Sequence, residues 1–345
     1  MPLVTVSGTP RECGVAYGAA AVDLIVANTA NYLARFPFDT SYARHYGSLF
    51  REASHRYAPR VADMLDGVAE GSGVHVDEIY ALNGRTELIY SEQPHECTAI
   101  GVLGEQTLLA QNWDWHPDQR PYALLLDTTD ELGRRALALT EAGMLAKAGL
   151  NDAGLGVCVN MLGSKRDRRD GGAPYHVLLR AALDARHLGA AIKAVCGTPR
   201  GASINLLLGQ AGAPGEVIDL EVAPDDVGFL HPVDGVLTHA NHFETALSSI
   251  DTLKSFGGSS FFRAARARRL LGEGPGEERI KQVLRDHGGH PQSICRHDEP
   301  DAPEADRTES LYSLVMDLDE RRMSIAAGPP CTAGEYYDVW LDKTD

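Results

Sequence analysis

The sequence predicts an α+β protein arranged in layers, with largely antiparallel sheets and helices outside them. Three observations lead there. The first ninety or so residues carry apolar side chains at helical spacing. The character changes at Pro94-His95-Glu96-Cys97, after which short apolar stretches alternate with turn residues. Further helical stretches then interrupt the strands in blocks, giving the order helices, strands, helices, strands, helices, strands. Strands that reach their neighbours through tight turns pair antiparallel.

Taken in order, Ala16 to Phe36 reads as one Ala-rich helix ending before Pro37, and Tyr42 to Tyr57 as an amphipathic one. Pro59 can open the next, since a first-turn residue needs no N–H. Val61, Met64, Leu65, Val68 and Ala69 follow at i, i+3, i+4 until Gly71-Ser72-Gly73. Asp77 is a suitable cap for a helix carrying Ile79, Leu82 and Leu88. Strands are expected at Thr98–Leu103, Thr107–Gln111, Tyr122–Asp127, Ala136–Thr140 and Leu155–Asn160. Gly104-Glu105-Gln106 turns the first hairpin, and Asn151-Asp152-Ala153-Gly154 another turn. Helices follow at Pro174–Arg186 and Leu188–Cys196, then strands at Ser203–Leu208, Glu216–Leu220 and Val236–His239. Helices at Phe261–Leu271 and Glu277–Asp286 precede a last hairpin, Ser310–Asp317 with Arg322–Ala327. Asp298–Arg307, rich in Pro, Asp and Glu, is expected to be a loop.

Composition narrows the function. The 345 residues are 43% hydrophobic and 23% charged, which suits a globular chain able to bury a core without staples. A net charge of −16 argues against nucleic acid or an anionic membrane as partner. The six cysteines are scattered without a CxxC pair, and no charged leader or membrane-length apolar run is visible. The expectation is a cytoplasmic protein with reduced thiols.

Cys97 opens a strand directly after the compositional boundary. By itself it reads first as a small buried hydrophobe, the usual fate of a free cysteine, and only its context makes it a candidate nucleophile. Other catalytic templates fail, because the chain has no GxSxG elbow, no Walker loop, no Rossmann fingerprint and no HExxH. His239 with His242, and His287 with His290, are spaced i, i+3, but neither pair has a convincing third or fourth ligand nearby. No metal and no cofactor are expected.

The ordered series Met64-Leu65-Asp66-Gly67-Val68-Ala69-Glu70-Gly71, Leu82-Asn83-Gly84-Arg85-Thr86-Glu87-Leu88 and Glu96-Cys97-Thr98 resembles the acyl-coenzyme A:6-aminopenicillanic acid acyltransferase family, the self-processing cysteine group of the Ntn hydrolases. The resemblance continues through Gln111-Asn112-Trp113-Asp114, Thr140-Glu141-Ala142-Gly143 and Lys147-Ala148-Gly149-Leu150-Asn151. It recurs at Gly172-Ala173-Pro174-Tyr175-His176, His239-Ala240-Asn241-His242, Ser293-Ile294-Cys295-Arg296 and Gly328-Pro329-Pro330. It implies a four-layer αββα sandwich of two mainly antiparallel sheets, and a cut between Glu96 and Cys97. The resulting helical fragment, 1–96, would remain bound to a catalytic fragment, 97–345, as one structural unit. The freed α-amine of Cys97, with a pKa of about 7.7–8.0, would then serve as base for its own thiol.

The resemblance also assigns residues. Asp114 matches an aspartate beside the nucleophile, there to orient the α-ammonium or pass protons; read alone it is a turn aspartate after a strand end. Asn241 matches an oxyanion-stabilising asparagine. Arg296 matches an arginine near the cysteine, able to lower a thiol pKa. Asn112 and Ser293 are possible supporting residues. Two positions depart from the family: Glu96 stands where penicillin-forming members have glycine, and Ala240 where the motif has threonine. The expected activity is transfer of an acyl group through a thioester on Cys97, with a small-molecule N-acyl amide or an acyl-CoA as substrate. Hydrolysis is slightly preferred because CoA's phosphates and this acidic chain share a sign. N-acyl transfer to an amine from acyl-CoA, an unprocessed binding protein and a metal-dependent amidohydrolase are the competing readings.

Overall fold

A computed structural model of the chain describes residues 1–89, 97–170, 172–273, 275–304 and 307–341. It begins with a strand, β1 (Leu3–Gly8), whose side chains alternate between exposed and buried. Six helices follow: α1 (Pro10–Ala20), α2 (Val22–Arg35), α3 (Thr40–Tyr57), α4 (Pro59–Ser72), α5 (Val76–Asn83) and α6 (Arg85–Ile89). Thr9 and Glu12 form a reciprocal capping box at the start of α1, and Asp39 caps α3 through its side chain. Gly73, at φ +70°, ends α4 in the left-handed conformation that glycine adopts without steric cost.

Two expectations in this region are corrected. The helix read over Ala16–Phe36 is two helices bent by 87° at Ala21. The bend lets both grip one turn. Tyr17 in α1 donates to Met144 O and accepts from Gly143 N–H, while in α2 Asn28 donates to Ala142 O and Tyr32 to Glu141. A straight helix could not reach all four residues of that turn. The cap of α5 is also not Asp77, which lies in its first turn; the His75 ring nitrogen accepts the Asp77 N–H.

The remaining strands are β2 (Thr98–Leu103), β3 (Thr107–Trp115), β4 (Ala123–Asp130), β5 (Arg135–Glu141), β6 (Ala148–Asn151), β7 (Leu155–Met161), β8 (Ile204–Gln210), β9 (Glu216–Ala223), β10 (Asp226–Leu230), β11 (Val236–His239), β12 (Glu309–Asp317), β13 (Arg322–Ala327) and β14 (Tyr337–Trp340). The helices among them are α7 (Tyr175–Leu183), α8 (Leu188–Cys196), α9 (Ser260–Leu271) and α10 (Glu277–Leu284). They build one eight-stranded sheet, in the order β1-β4-β5-β6-β7-β8-β9-β10, and one six-stranded sheet, in the order β11-β2-β3-β12-β13-β14. Every pairing is antiparallel except β1 with β4.

Side-chain alternation along the strands makes the layers. In β3, Leu109, Trp113 and Trp115 face the core between the sheets, while Leu108 and Ala110 face α9 and α10. In β7, Cys158 points inward and Leu155, Val157 and Val159 point to α7 and α8. The architecture is therefore α+β, two stacked sheets between helical layers. β6, β10 and β14, at four or five residues each, have too little pattern to stand out in sequence. β3 runs on to Trp115, so Asp114 lies within a strand and not in a turn.

Candidate active site

Cys97 precedes β2 and is 6% exposed. Its N–H donates to Asn241 Oδ1 at 2.6 Å. Its Sγ lies 3.8 Å from the main-chain oxygen of Asp114, in a narrow cleft walled by Gln111, Trp113, Trp115, Lys147 and Met161. Burial pushes the thiol pKa up to about 12, and the Asp114 charge adds to this; Arg263 and Lys147 pull the other way. In the continuous chain this sulfur is a poor thiolate at neutral pH.

Arg263, from α9, ties the strand end together. Its guanidinium donates to Cys97 O at 2.6 Å, to Thr98 Oγ1 at 2.7 Å and to Asn241 Oδ1 at 2.9 Å. Two donors, Arg263 and the Cys97 N–H, thus meet the same atom of Asn241, which fixes that atom as the oxygen. The other end of the amide, Nδ2, donates to Met161 O at 3.0 Å, on the cleft wall. Asn241 meets Cys97 as an acceptor at its main-chain nitrogen.

The cleft also holds buried charge. Glu141 receives Tyr32 O–H at 2.5 Å and pairs with Arg85 and Lys147, both at 3.1 Å. Burial opposes its ionisation, yet Arg85 and Lys147 hold its pKa below the usual carboxylate range. Burial, with the Arg85 charge, brings Lys147 down to about 8. The two cations sit over tryptophan rings, Arg85 4.2 Å from Trp115 and Lys147 5.1 Å from Trp113. Two cations against one carboxylate leave the cleft positive below that pH, next to the sulfur.

The remaining sequence-derived residues lie on the other face of β3. Asn112 donates to Leu284 O and Ile294 O at 2.9 and 2.8 Å, anchoring α10 and the loop after it. Asp114 accepts from Ser310 Oγ at 2.6 Å, and Ser310 Oγ accepts the Arg296 N–H at 3.0 Å. Arg296 Nε donates to Thr308 Oγ1 at 2.5 Å. The structure therefore brings Asp114 and Arg296 into one network across the sheet from the thiol. Ser293 Oγ donates to Cys295 O within its own turn. His239 bonds Glu221 at 2.9 Å and His242 bonds Ser260 at 2.8 Å. Glu96 and the cut expected beside it lie outside the described residues.

Arg263, Arg85, Lys147, Glu141 and Ser310 were not singled out from the sequence. Arg263 did leave a signal: it shares the i, i+4, i+8 stripe of α9 with the buried Ala267 and Leu271. A charge on a buried stripe is there to pair.

A family model described as acyl-coenzyme A:6-aminopenicillanic acid acyl-transferase matches residues 102–331, beginning just past Cys97. The chain belongs to this family. The 40 kDa form of the acyl-coenzyme A:6-aminopenicillanic-acid-acyltransferase of Emericella nidulans is 28% identical over 357 residues, covering 99% of this chain and 97% of that one. Among solved structures, penicillin V acylase from Agrobacterium tumefaciens is similar at 15% identity and a TM-score of 0.45, over 72% of this chain and 87% of that one. A mutant conjugated bile acid hydrolase from Clostridium perfringens is similar at 12% identity and a TM-score of 0.41, over 72% and 93%. Membership makes this chain an enzyme of acyl transfer. No single described helix is long and apolar enough to cross a membrane.

Proposed function

We propose that the chain is a self-processing cysteine enzyme that carries an acyl group on Cys97. The observation that carries this reading is the Cys97 N–H held by Asn241, with the sulfur beside it facing a cleft walled by tryptophans. In the precursor the thiol adds to the Glu96 carbonyl. The C–N bond breaks as the C–S bond forms, and the thiol proton passes to the departing nitrogen. Water then cleaves the thioester, leaving a Glu96 carboxylate, a free thiol and an α-amine on Cys97.

That amine is the base the buried thiol lacks. It takes the thiol proton as sulfur attacks a substrate carbonyl, and returns it to the leaving amine. The acyl-thioester then passes to water or to a second amine. Asn241 Oδ1 keeps the nitrogen in place before and after the cut, and Nδ2, on the Met161 side, is the donor for the oxyanion. Asp114 stabilises an ammonium at this end of the strand, and Ser310, itself held by the main-chain N–H of Arg296, fixes Asp114. Lys147 and Arg85 supply positive potential for the thiolate and the oxyanion.

The tryptophan walls suit an apolar acyl group, and hydrolysis of a linear N-acyl amide is the preferred reaction. Transfer from an acyl-CoA to an amine is the second reading, favoured by the activity for which the Emericella nidulans relative is named. The unpaired cysteines support a cytoplasmic location. Incubation with N-acyl p-nitroanilides of increasing chain length tests the reading: purified enzyme should release nitroaniline and show a transient mass increase of one acyl group on the fragment starting at Cys97. Release that persists undiminished in Cys97→Ala would overturn it.

A further inference from the structure

We propose that His287, Cys295, His297 and Cys331 form a four-coordinate zinc site, separate from the Cys97 cleft. One ligand atom from each lies within 4.8 Å of all the others. Three of them gather about one atom: His297 Nε2 is 3.1 Å from His287 Nε2, 3.3 Å from Cys331 Sγ and 3.6 Å from Cys295 Sγ. An imidazole nitrogen has one proton or one lone pair in the ring plane, so it satisfies one hydrogen-bond partner, not three.

A tetrahedral ion explains the convergence. Zn–N bonds of about 2.0–2.1 Å and Zn–S bonds of about 2.3 Å set N···N edges near 3.3 Å and N···S edges near 3.6 Å. The three separations agree within a few tenths of an ångström. Two thiolates and two imidazoles form a structural zinc ligand set, and the soft sulfurs disfavour magnesium or calcium.

The backbone frames the site independently of these side chains. The Cys295 N–H donates to Asp286 O at 3.0 Å and the His297 N–H to Pro291 O at 3.1 Å, closing the loop after α10 on itself. Arg266 clamps the Asp286 carboxylate with bonds of 2.5 and 2.9 Å. Arg285 Nε donates to Pro330 O at 3.0 Å, setting the Cys331 turn against that loop. The spacing is unlike a compact zinc motif, because the fourth ligand arrives from beyond β13. The other three, His287, Cys295 and His297, stand within eleven residues of one another in the sequence.

Arg296 lies between two of the ligands, and its N–H reaches Ser310 and so Asp114. Four protein ligands leave no position for substrate, so the ion locks this loop to the segment after β13. Binding converts two thiols to thiolates and releases their protons.

Metal content of the untagged full chain, purified under reducing conditions, tests the site. Plasma mass spectrometry should find about one zinc per chain surviving gel filtration. Replacement by cobalt should give the thiolate charge-transfer and strong visible bands of a tetrahedral Cys2His2 centre. Cys331→Ser and His287→Ala, each at the surface, should lower zinc affinity by more than about 100-fold while far-ultraviolet circular dichroism is unchanged. The proposal is overturned if the reduced protein fails to retain added zinc, if both variants retain it, or if the fresh protein carries a Cys295–Cys331 disulfide. Because the readout is metal, each of these outcomes is independent of whether Cys97 is the nucleophile.

Discussion

Asn241 accepts the Cys97 N–H at 2.6 Å, with Arg263 bonded to the same oxygen at 2.9 Å. This side chain governs where the Cys97 nitrogen sits. Asn241→Ala removes both the acceptor and the Nδ2 donor. Self-cleavage should slow, and kcat of whatever enzyme is cut should fall by about 10²–10³, the usual loss of one oxyanion donor. Single-turnover kinetics with intact-mass sampling checks both effects.

Arg263 is buried and donates to three acceptors around Cys97. Arg263→Met takes this donor from Cys97 O and Thr98 Oγ1, at about 1–3 kcal/mol apiece, while Asn241 Oδ1 keeps the Cys97 N–H. A loss of roughly 3 kcal/mol or more in urea unfolding is expected. Arg263→Lys, which keeps the charge but not the fork, should recover only part of it.

The N-terminal ninety residues are built into a sheet formed by the residues that follow Cys97. β1 pairs with β4 from Leu3↔Leu125 to Gly8↔Asp130, and Asn28, Tyr32 and Arg85 all bond to the Glu141–Ala142 turn. After a cut before Cys97 the two pieces should therefore co-elute in native gel filtration and part only in denaturant. Separation in plain buffer would contradict this.

A pH effect follows from the histidine two residues before Asn241. Burial lowers the His239 pKa, but the charges of Asp219 and Glu221 and the Glu221 hydrogen bond overcome it and raise it to about 9. A base whose folded pKa is raised stabilises the protein fully below its unfolded value of about 6.5, and this is lost as pH rises through 9. Thermal stability should fall between pH 6.5 and 9 by up to about 3 kcal/mol from this group. His239→Gln, which keeps a donor for Glu221 without titrating, should flatten that part of the profile in calorimetry.

Much of this was legible in the sequence. α8, β2 and β11 occupy the residues that their apolar patterns marked. The long helix through Ala21 failed because local propensity carries no information about the 141–144 turn that both halves grip. β1 was hidden by its position ahead of a helical run, although its alternation is plain once its pairing with β4 is known. Within the site, Cys97 and Asn241 were readable because family motifs surround them, and they do meet. Asp114 and Arg296 were readable too, but strand parity places their network across the sheet from the thiol. Of the His287–Cys331 cluster, His287, Cys295 and His297 stand within eleven residues in the sequence, but the fourth ligand, Cys331, comes from a segment that only folding brings beside them.

Intact-mass and N-terminal analysis of freshly purified, catalytically active protein tests the central claim most directly. The account predicts two species held together, the larger beginning at Cys97, and a single uncut, inactive chain for Cys97→Ala. Full activity from a preparation whose backbone runs unbroken from Glu96 into Cys97 would contradict it.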